Sequence, residues 1–130
     1  MRTVLVVDDE RVIREGLRRL LSSEGYRVLT ACNGQEALDV LRSENIDAVL
    51  CDLKMPVKGA IEVLEESKAE SREVPIIILT GQGTIASAVE SREKGAYAFI
   101  TKPFRADCVL MLVKCATENL PTPPKPPGIP

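Results

Sequence analysis

Five short runs of consecutive aliphatic residues recur along the chain, and between successive runs the apolar residues return with helical spacing. No other feature restricts the fold so strongly. The first run, residues 3–7 (TVLVV), is unbroken rather than alternating and stops at Asp8 and Asp9. A strand covered on both faces reads this way. Ile13, Leu17, Leu20 and Leu21 then fall on one stripe of a helix, with charged residues between them. Gly25 is the expected left-handed residue just past its end. Residues 26–31 predict a second, weaker strand. Asn33 predicts a helix cap with Glu36 as its capping-box partner, and Ala37, Leu38 and Leu41 form the buried stripe of that helix.

The unit then repeats. Residues 47–51 predict a strand ending at Asp52, followed by a Met55-Pro56 loop and a helix carrying Ile61, Val63 and Leu64. Residues 75–79 predict the clearest buried strand, ending at Thr80 and Gly81; a helix over 84–94 follows, stopped by Gly95. Residues 96–100 predict the fifth strand, residues 101–103 a turn, and residues 105–118 the final helix. Strict alternation of strand and helix implies an α/β fold, a doubly wound parallel sheet with helices on both faces.

At 130 residues there is room for one domain and a short tail. A formal charge of −2 without a cluster of Lys and Arg argues against a nucleic-acid surface in these residues. No run is long and apolar enough to cross a bilayer, and Met1 leads directly into a strand pattern without a signal peptide. Cys32, Cys51, Cys108 and Cys115 form no CxxC pair, and with no His in the chain they read as small buried hydrophobes in a reducing cytosol. Six of the eleven residues 120–130 are proline, so this end reads as an extended linker or tail.

The residues that follow the strands carry the chemistry. Asp8, Asp9 and Glu10 follow the first, Asp52 the third, Thr80 the fourth and Lys102 the fifth. In a parallel sheet all of these ends lie along one edge, where open α/β folds bind ligands. Several carboxylates, one hydroxyl and one ammonium are thus gathered. Crowded carboxylates raise one another's pKa values, and a hard cation such as Mg²⁺ relieves that repulsion. A carboxylate is also a competent nucleophile toward phosphorus. Taken singly, each residue has a plainer reading: Asp8 and Asp9 as helix caps, Asp52 and Thr80 as turn residues, Lys102 as a solvated lysine.

Residues 4–10 (VLVVDDE), 52–56 (DLKMP), 79–81 (LTG) and 95–104 (GAYAFITKPF) resemble the receiver domain of two-component response regulators over about residues 1–118. Residues 119–130 fall outside the likeness. Residues 79–84 and the GAYAF segment look most like receivers of nitrogen-regulatory-type transcriptional activators. The resemblance implies a flavodoxin-like (βα)5 fold with strand order 2-1-3-4-5 and a phospho-acceptor switch rather than a turnover enzyme, catalysing only its own phosphorylation and dephosphorylation. It makes Asp52 the phosphoacceptor; Asp8, Asp9, Asp52 and the Lys54 backbone carbonyl the ligands of Mg²⁺ (or Mn²⁺); and Lys102, in a cis peptide with Pro103, the contact to phosphoryl oxygens. Thr80 and Phe99 become the switch pair acting on the surface of the fourth predicted helix, fifth strand and final helix. Lys54 and Gln82 stand at the positions that modulate phosphoryl lifetime. Lys58, Gly59 and Ala60 replace the usual Met, Asp and Gly, so a different loop path is expected after Asp52.

The implied partners are a sensor histidine kinase or phosphotransfer protein in the cytoplasm, with an effector domain beyond this chain and a homodimer both open. Competing readings are an interaction module independent of phosphorylation and an aspartyl-nucleophile phosphohydrolase. The latter lacks its Asp-x-Asp pair and cap insertion, and a flavin-binding reading lacks the phosphate loop after the first strand.

Overall fold

The computed structural model describes residues 1–70, 73–81, 90 and 92–121. Five parallel strands, β1 (Thr3–Val7), β2 (Arg27–Ala31), β3 (Ala48–Asp52), β4 (Ile76–Thr80) and β5 (Ala98–Thr101), form one sheet in the order β2-β1-β3-β4-β5. The helices are α1 (Arg11–Ser23), α2 (Gly34–Ser43), α3 (Ala60–Ala69) and the C-terminal α4 (Ala106–Thr117). The helix expected over 84–94 lies mostly outside the described residues, as do Gln82 and residues 122–130.

The aliphatic runs become the three central strands. Every residue of β1, β3 and β4 is buried, whereas β2 and β5, at the sheet's edges, keep exposed positions such as Arg27, Thr30 and Thr101. The weaker sequence signal of β2 is therefore that of an edge strand only partly covered: Val28 packs on one core and Leu29 on the other, while Arg27 and Thr30 are exposed.

Because side chains alternate across a strand, each central strand feeds two cores. Val4, Val6, Leu50, Ile77, Leu79 and Ile100 pack against α1 and α4. Leu5, Val7, Val49, Cys51, Ile76 and Ile78 pack against α2 and α3. Each wholly buried Leu or Ile contributes roughly 2–3 kcal/mol through removal from water.

Helix ends follow the sequence closely. Gly25 adopts φ 91 beyond α1, where Tyr26 N–H bonds the Leu21 carbonyl at 3.2 Å and Gly25 N–H bonds Ser22 at 3.1 Å. This is the paired bonding of a Schellman ending. Asn119, at φ 56, ends α4 in the same way. At α2 the expected capping box is only half formed. The Asn33 side chain accepts from Glu36 N–H at 2.9 Å, but the Glu36 carboxylate reaches past Asn33 to Cys32 N–H at 3.1 Å and to the Cys32 thiol at 3.1 Å. The cysteine expectation also needs correction: Cys51 and Cys108 are buried, whereas Cys32 and Cys115 are only half-buried because they stand at a loop and on a helix flank. All four are free thiols.

Candidate functional site

The C-terminal ends of β1 and β3 are adjacent in the sheet, with Val7 opposite Cys51. The residues immediately beyond, Asp8 and Asp52, are consequently neighbours. Asp8 is wholly buried and Asp52 nearly so, while Asp9 is exposed. One carboxylate oxygen from each of Asp8, Asp9 and Asp52 lies within 4.8 Å of the others, a spacing that suits a single small cation.

Lys102 reaches this cluster from the end of β5. Its ammonium sits 2.9 Å from Asp8 Oδ2, 3.5 Å from Asp52 Oδ1 and 3.9 Å from Glu10 Oε1. The backbone holds it there, with Lys102 N–H donating to the Thr80 carbonyl at 2.6 Å. The Lys102–Pro103 peptide is cis. Asp8 is anchored as well. Its Oδ1 accepts from Glu10 N–H at 2.9 Å, so it also serves as the turn residue that admits α1. One oxygen thus holds the turn, and the other faces the Lys102 ammonium.

The pleat sorts these residues. Val6 and Leu50 belong to the α1/α4 core, so Asp8 and Asp52, two residues further on, share that parity, as does Lys102 after Ile100. Ile78 and Phe99 belong to the α2/α3 side, which is also the parity of Thr80. The charged groups thus stand on one parity and the Thr80–Phe99 pair on the other. Thr80 is buried, and Phe99 is half-buried against the α2/α3 core rather than sealed within it. Cys51 packs in that same core, on the face away from Asp52, as its place on the strand requires.

Electrostatics follow the burial. Loss of water, and then the charge of Asp8, raise the Asp52 pKa from its ordinary 3.8 to about 6, against the opposing pull of Lys102. Burial would lower the pKa of Lys102, but its hydrogen bond to Asp8 and the charges of Asp8 and Asp52 prevail and hold it above its ordinary value. Three carboxylates against one ammonium leave an excess of negative charge, and that excess is what a divalent ion would neutralise.

The loop after Asp52 is pulled tight. Leu53 N–H bonds the Leu79 carbonyl at 2.7 Å, and Ala60 N–H returns to the Leu53 carbonyl at 3.2 Å. Gly59 lies so close to Leu53 that an added Cβ would sit 2.5 Å from its carbonyl oxygen. Lys58 N–H closes a three-residue turn onto the Pro56 carbonyl at 2.8 Å, with Val57 between them at φ 69. A β-branched residue there is strained. The side chain of Lys54 is exposed on the same loop.

Sequence reasoning brought together Asp8, Asp9, Asp52 and Lys102, which share the cluster, and set Thr80 at the same sheet edge. It gave no role to Arg14, whose guanidinium donates to the Asp8 main-chain carbonyl at 2.8 Å. Its place one turn into the helix that follows Asp8 was the available signal.

Residues 4–114 match the family model of the response regulator receiver domain. The response regulator MprA of Mycolicibacterium vanbaalenii is 39% identical over 107 residues, 82% of this chain and 46% of that protein, so the chain spans about half the length of the curated relatives it matches. Among solved structures, a response regulator receiver domain protein from Clostridium thermocellum is 31% identical, with a TM-score of 0.85 over 92% of this chain and 96% of that one. The beryllofluoride-activated NtrC4 receiver domain dimer is 34% identical, with a TM-score of 0.86 over 92% of this chain and 98% of that one. With a five-stranded sheet in the order 2-1-3-4-5 and an acidic cluster at its carboxyl edge, this chain belongs to the response regulator receiver domain family.

Proposed function

We propose that the domain is a phospho-acceptor switch in which Asp52 takes a phosphoryl group from the phosphohistidine of a sensor histidine kinase or phosphotransfer protein. The observation that carries this reading is the position of the Lys102 ammonium, 2.9 Å from Asp8 and 3.5 Å from Asp52 within a cluster of three carboxylates. An Asp52 oxygen attacks phosphorus as the phosphorus–nitrogen bond to imidazole breaks, and the imidazole nitrogen keeps the electron pair. Phosphoryl transfer asks the protein chiefly for positioning and charge neutralisation. Lys102 supplies a cation able to follow the charge onto the phosphoryl oxygens. Asp8, Asp9, Asp52 and the Lys54 carbonyl are the proposed ligands of Mg²⁺ or Mn²⁺, which when bound would offset the repulsion between the carboxylates and the incoming phosphoryl group.

Thr80 and Phe99, on the opposite parity from the charges, are the proposed response: Thr80 turns to the phosphoryl group and Phe99 moves into the space behind it. Phosphorylation thereby biases a two-state surface on the β5 side. Lys54 and Gln82 modulate hydrolysis of the acyl phosphate. Residues 1–118 form the receiver unit and 119–130 a proline-rich linker or tail, in a cytoplasmic protein that relays the signal to an effector. Among the described residues, no helix is long and apolar enough to cross a membrane.

The test uses beryllofluoride, an acyl-phosphate mimic, with Mg²⁺. Amide shifts at Thr80 and Phe99 that vanish in Asp52→Asn are expected. Absence of binding would favour an interaction module that works without phosphorylation, and steady multiple turnover of phosphate esters would favour a phosphohydrolase.

A further inference from the structure

Asp8 is held from several sides. Its N–H bonds the Ala31 carbonyl of β2 at 3.2 Å, and its two carboxylate oxygens take Glu10 N–H and Lys102. Its carbonyl is held by one further group, Nη1 of the half-buried Arg14, at 2.8 Å. That carbonyl belongs to the peptide unit joining Asp8 to Asp9. Its orientation therefore sets where both carboxylates start from, and Asp9, being exposed, has little packing of its own to direct it. Arg14 is itself fixed at the first turn of α1, where its N–H bonds the Glu10 carbonyl at 3.0 Å. Its positive charge also reaches Cys32 and Glu36 across the β2–α2 loop.

We infer that Arg14 is a positioning residue for the divalent-cation site, clamping the Asp8–Asp9 peptide so that both carboxylates face Asp52. The inference rests on the proposed role of Asp8, Asp9 and Asp52 as metal ligands. Groups that orient ligands from outside the coordination sphere typically account for 10- to 100-fold in metal affinity. Charge alone works in the other direction, because a nearby guanidinium repels a cation and its removal should tighten binding. Positioning and bare electrostatics thus predict opposite signs for the same substitution.

The experiment is a Mg²⁺ titration followed by amide shifts and calorimetry in the wild type, Arg14→Met and Arg14→Lys, alongside the urea midpoint of each. Arg14→Met should weaken Mg²⁺ binding about tenfold at the lower end of that range. Arg14→Lys keeps a charged donor on a flexible stem and should stay within about threefold of wild type. If Arg14→Met does not fold, Arg14→Leu, which likewise carries no donor, is read in the same way. Binding as tight as wild type or tighter in Arg14→Met, or equal weakness in Arg14→Lys, overturns the inference, since a merely structural role would move the urea midpoint and leave the affinity of the folded protein alone. Failure of the wild type to bind Mg²⁺, or binding indifferent to Asp9→Asn and Asp52→Asn, would instead sink the metal site itself.

Discussion

Neutralising Asp52 should make the metal-free protein more stable. Its pKa rises from 3.8 in the free chain to about 6 in the fold, driven by burial and then by Asp8. At about 1.36 kcal/mol for each pH unit, the ionised carboxylate costs the folded state about 3 kcal/mol. The pH dependence follows from the direction of the shift. A carboxylate with a raised folded pKa favours folding below its unfolded value and loses that contribution as pH rises through the folded one. The penalty is therefore absent below pH 3.8, grows between 3.8 and about 6, and is complete at pH 8. Asp52→Asn keeps the shape and removes the charge, so in EDTA at pH 8 it should gain about 2–3 kcal/mol, with a negligible gain at pH 3.5. With a urea slope of roughly 1–3 kcal/mol/M, the midpoint should move up by about 1–2 M. Mg²⁺ at a hundredfold its dissociation constant would stabilise the wild type by about 2.7 kcal/mol and nearly close the gap. Equal or lower stability of the variant at pH 8, or an advantage that persists undiminished at pH 3.5, would refute the reasoning.

Three further outcomes are expected. Val57→Gly should raise stability by about 1 kcal/mol in urea unfolding, because relief of strain at φ 69 exceeds the entropy glycine loses on folding and the exposed Val57 side chain buries little. Gly59→Ala should lower it by about 1–3 kcal/mol, since the new methyl meets the Leu53 carbonyl and the loop beside Asp52 must shift; an unchanged urea midpoint would contradict this. Lys54→Ala should shorten the acyl-phosphate half-life, measured by loss of radiolabel, if Lys54 lies across the path of attacking water, and an unchanged or longer half-life would remove it from that role.

The strands were legible because a buried parallel strand leaves an unbroken aliphatic run, and β1, β3 and β4 are buried along their whole length. Their ends then located Asp8, Asp52, Thr80 and Lys102 by topology alone. Strand limits moved by one or two residues, as at β5, where Ala96 and Tyr97 precede the strand. Less legible were features that depend on three-dimensional approach. The Glu36 carboxylate prefers Cys32 to Asn33 because the β2–α2 loop turns the Cys32 N–H and thiol toward it. The departures at Lys58, Gly59 and Ala60 gave grounds to expect a different loop path but said nothing of its form. Only the fold shows that Gly59 abuts Leu53, and that Gly34 on α2 lies so near Lys58 that a Cβ would meet its carbonyl. Arg14 was hard to read because its partner is a main-chain carbonyl, so that its place one turn into α1 was the one signal for it.

The unequal treatment of the two buried aspartates bears on which of them reacts. Asp8 is engaged at both oxygens, by Glu10 N–H at 2.9 Å and by Lys102 at 2.9 Å. Asp52 meets the same ammonium at 3.5 Å, beyond the usual hydrogen-bond range of about 2.7–3.2 Å. A carboxylate held tightly by two donors is a poorer nucleophile, since both the lone pairs and the charge are committed. Asp52 keeps a loosely paired oxygen in a partly desolvated place and carries the raised pKa. The sheet makes this asymmetry, because β3 ends with Asp52 as its last residue, whereas β1 ends one residue before Asp8 and lets its carboxylate turn back to accept from Glu10 N–H ahead of α1. On that reasoning, replacing Asp8 should reduce cation binding and leave the proposed acceptor in place, and replacing Asp52 should abolish phosphorylation outright.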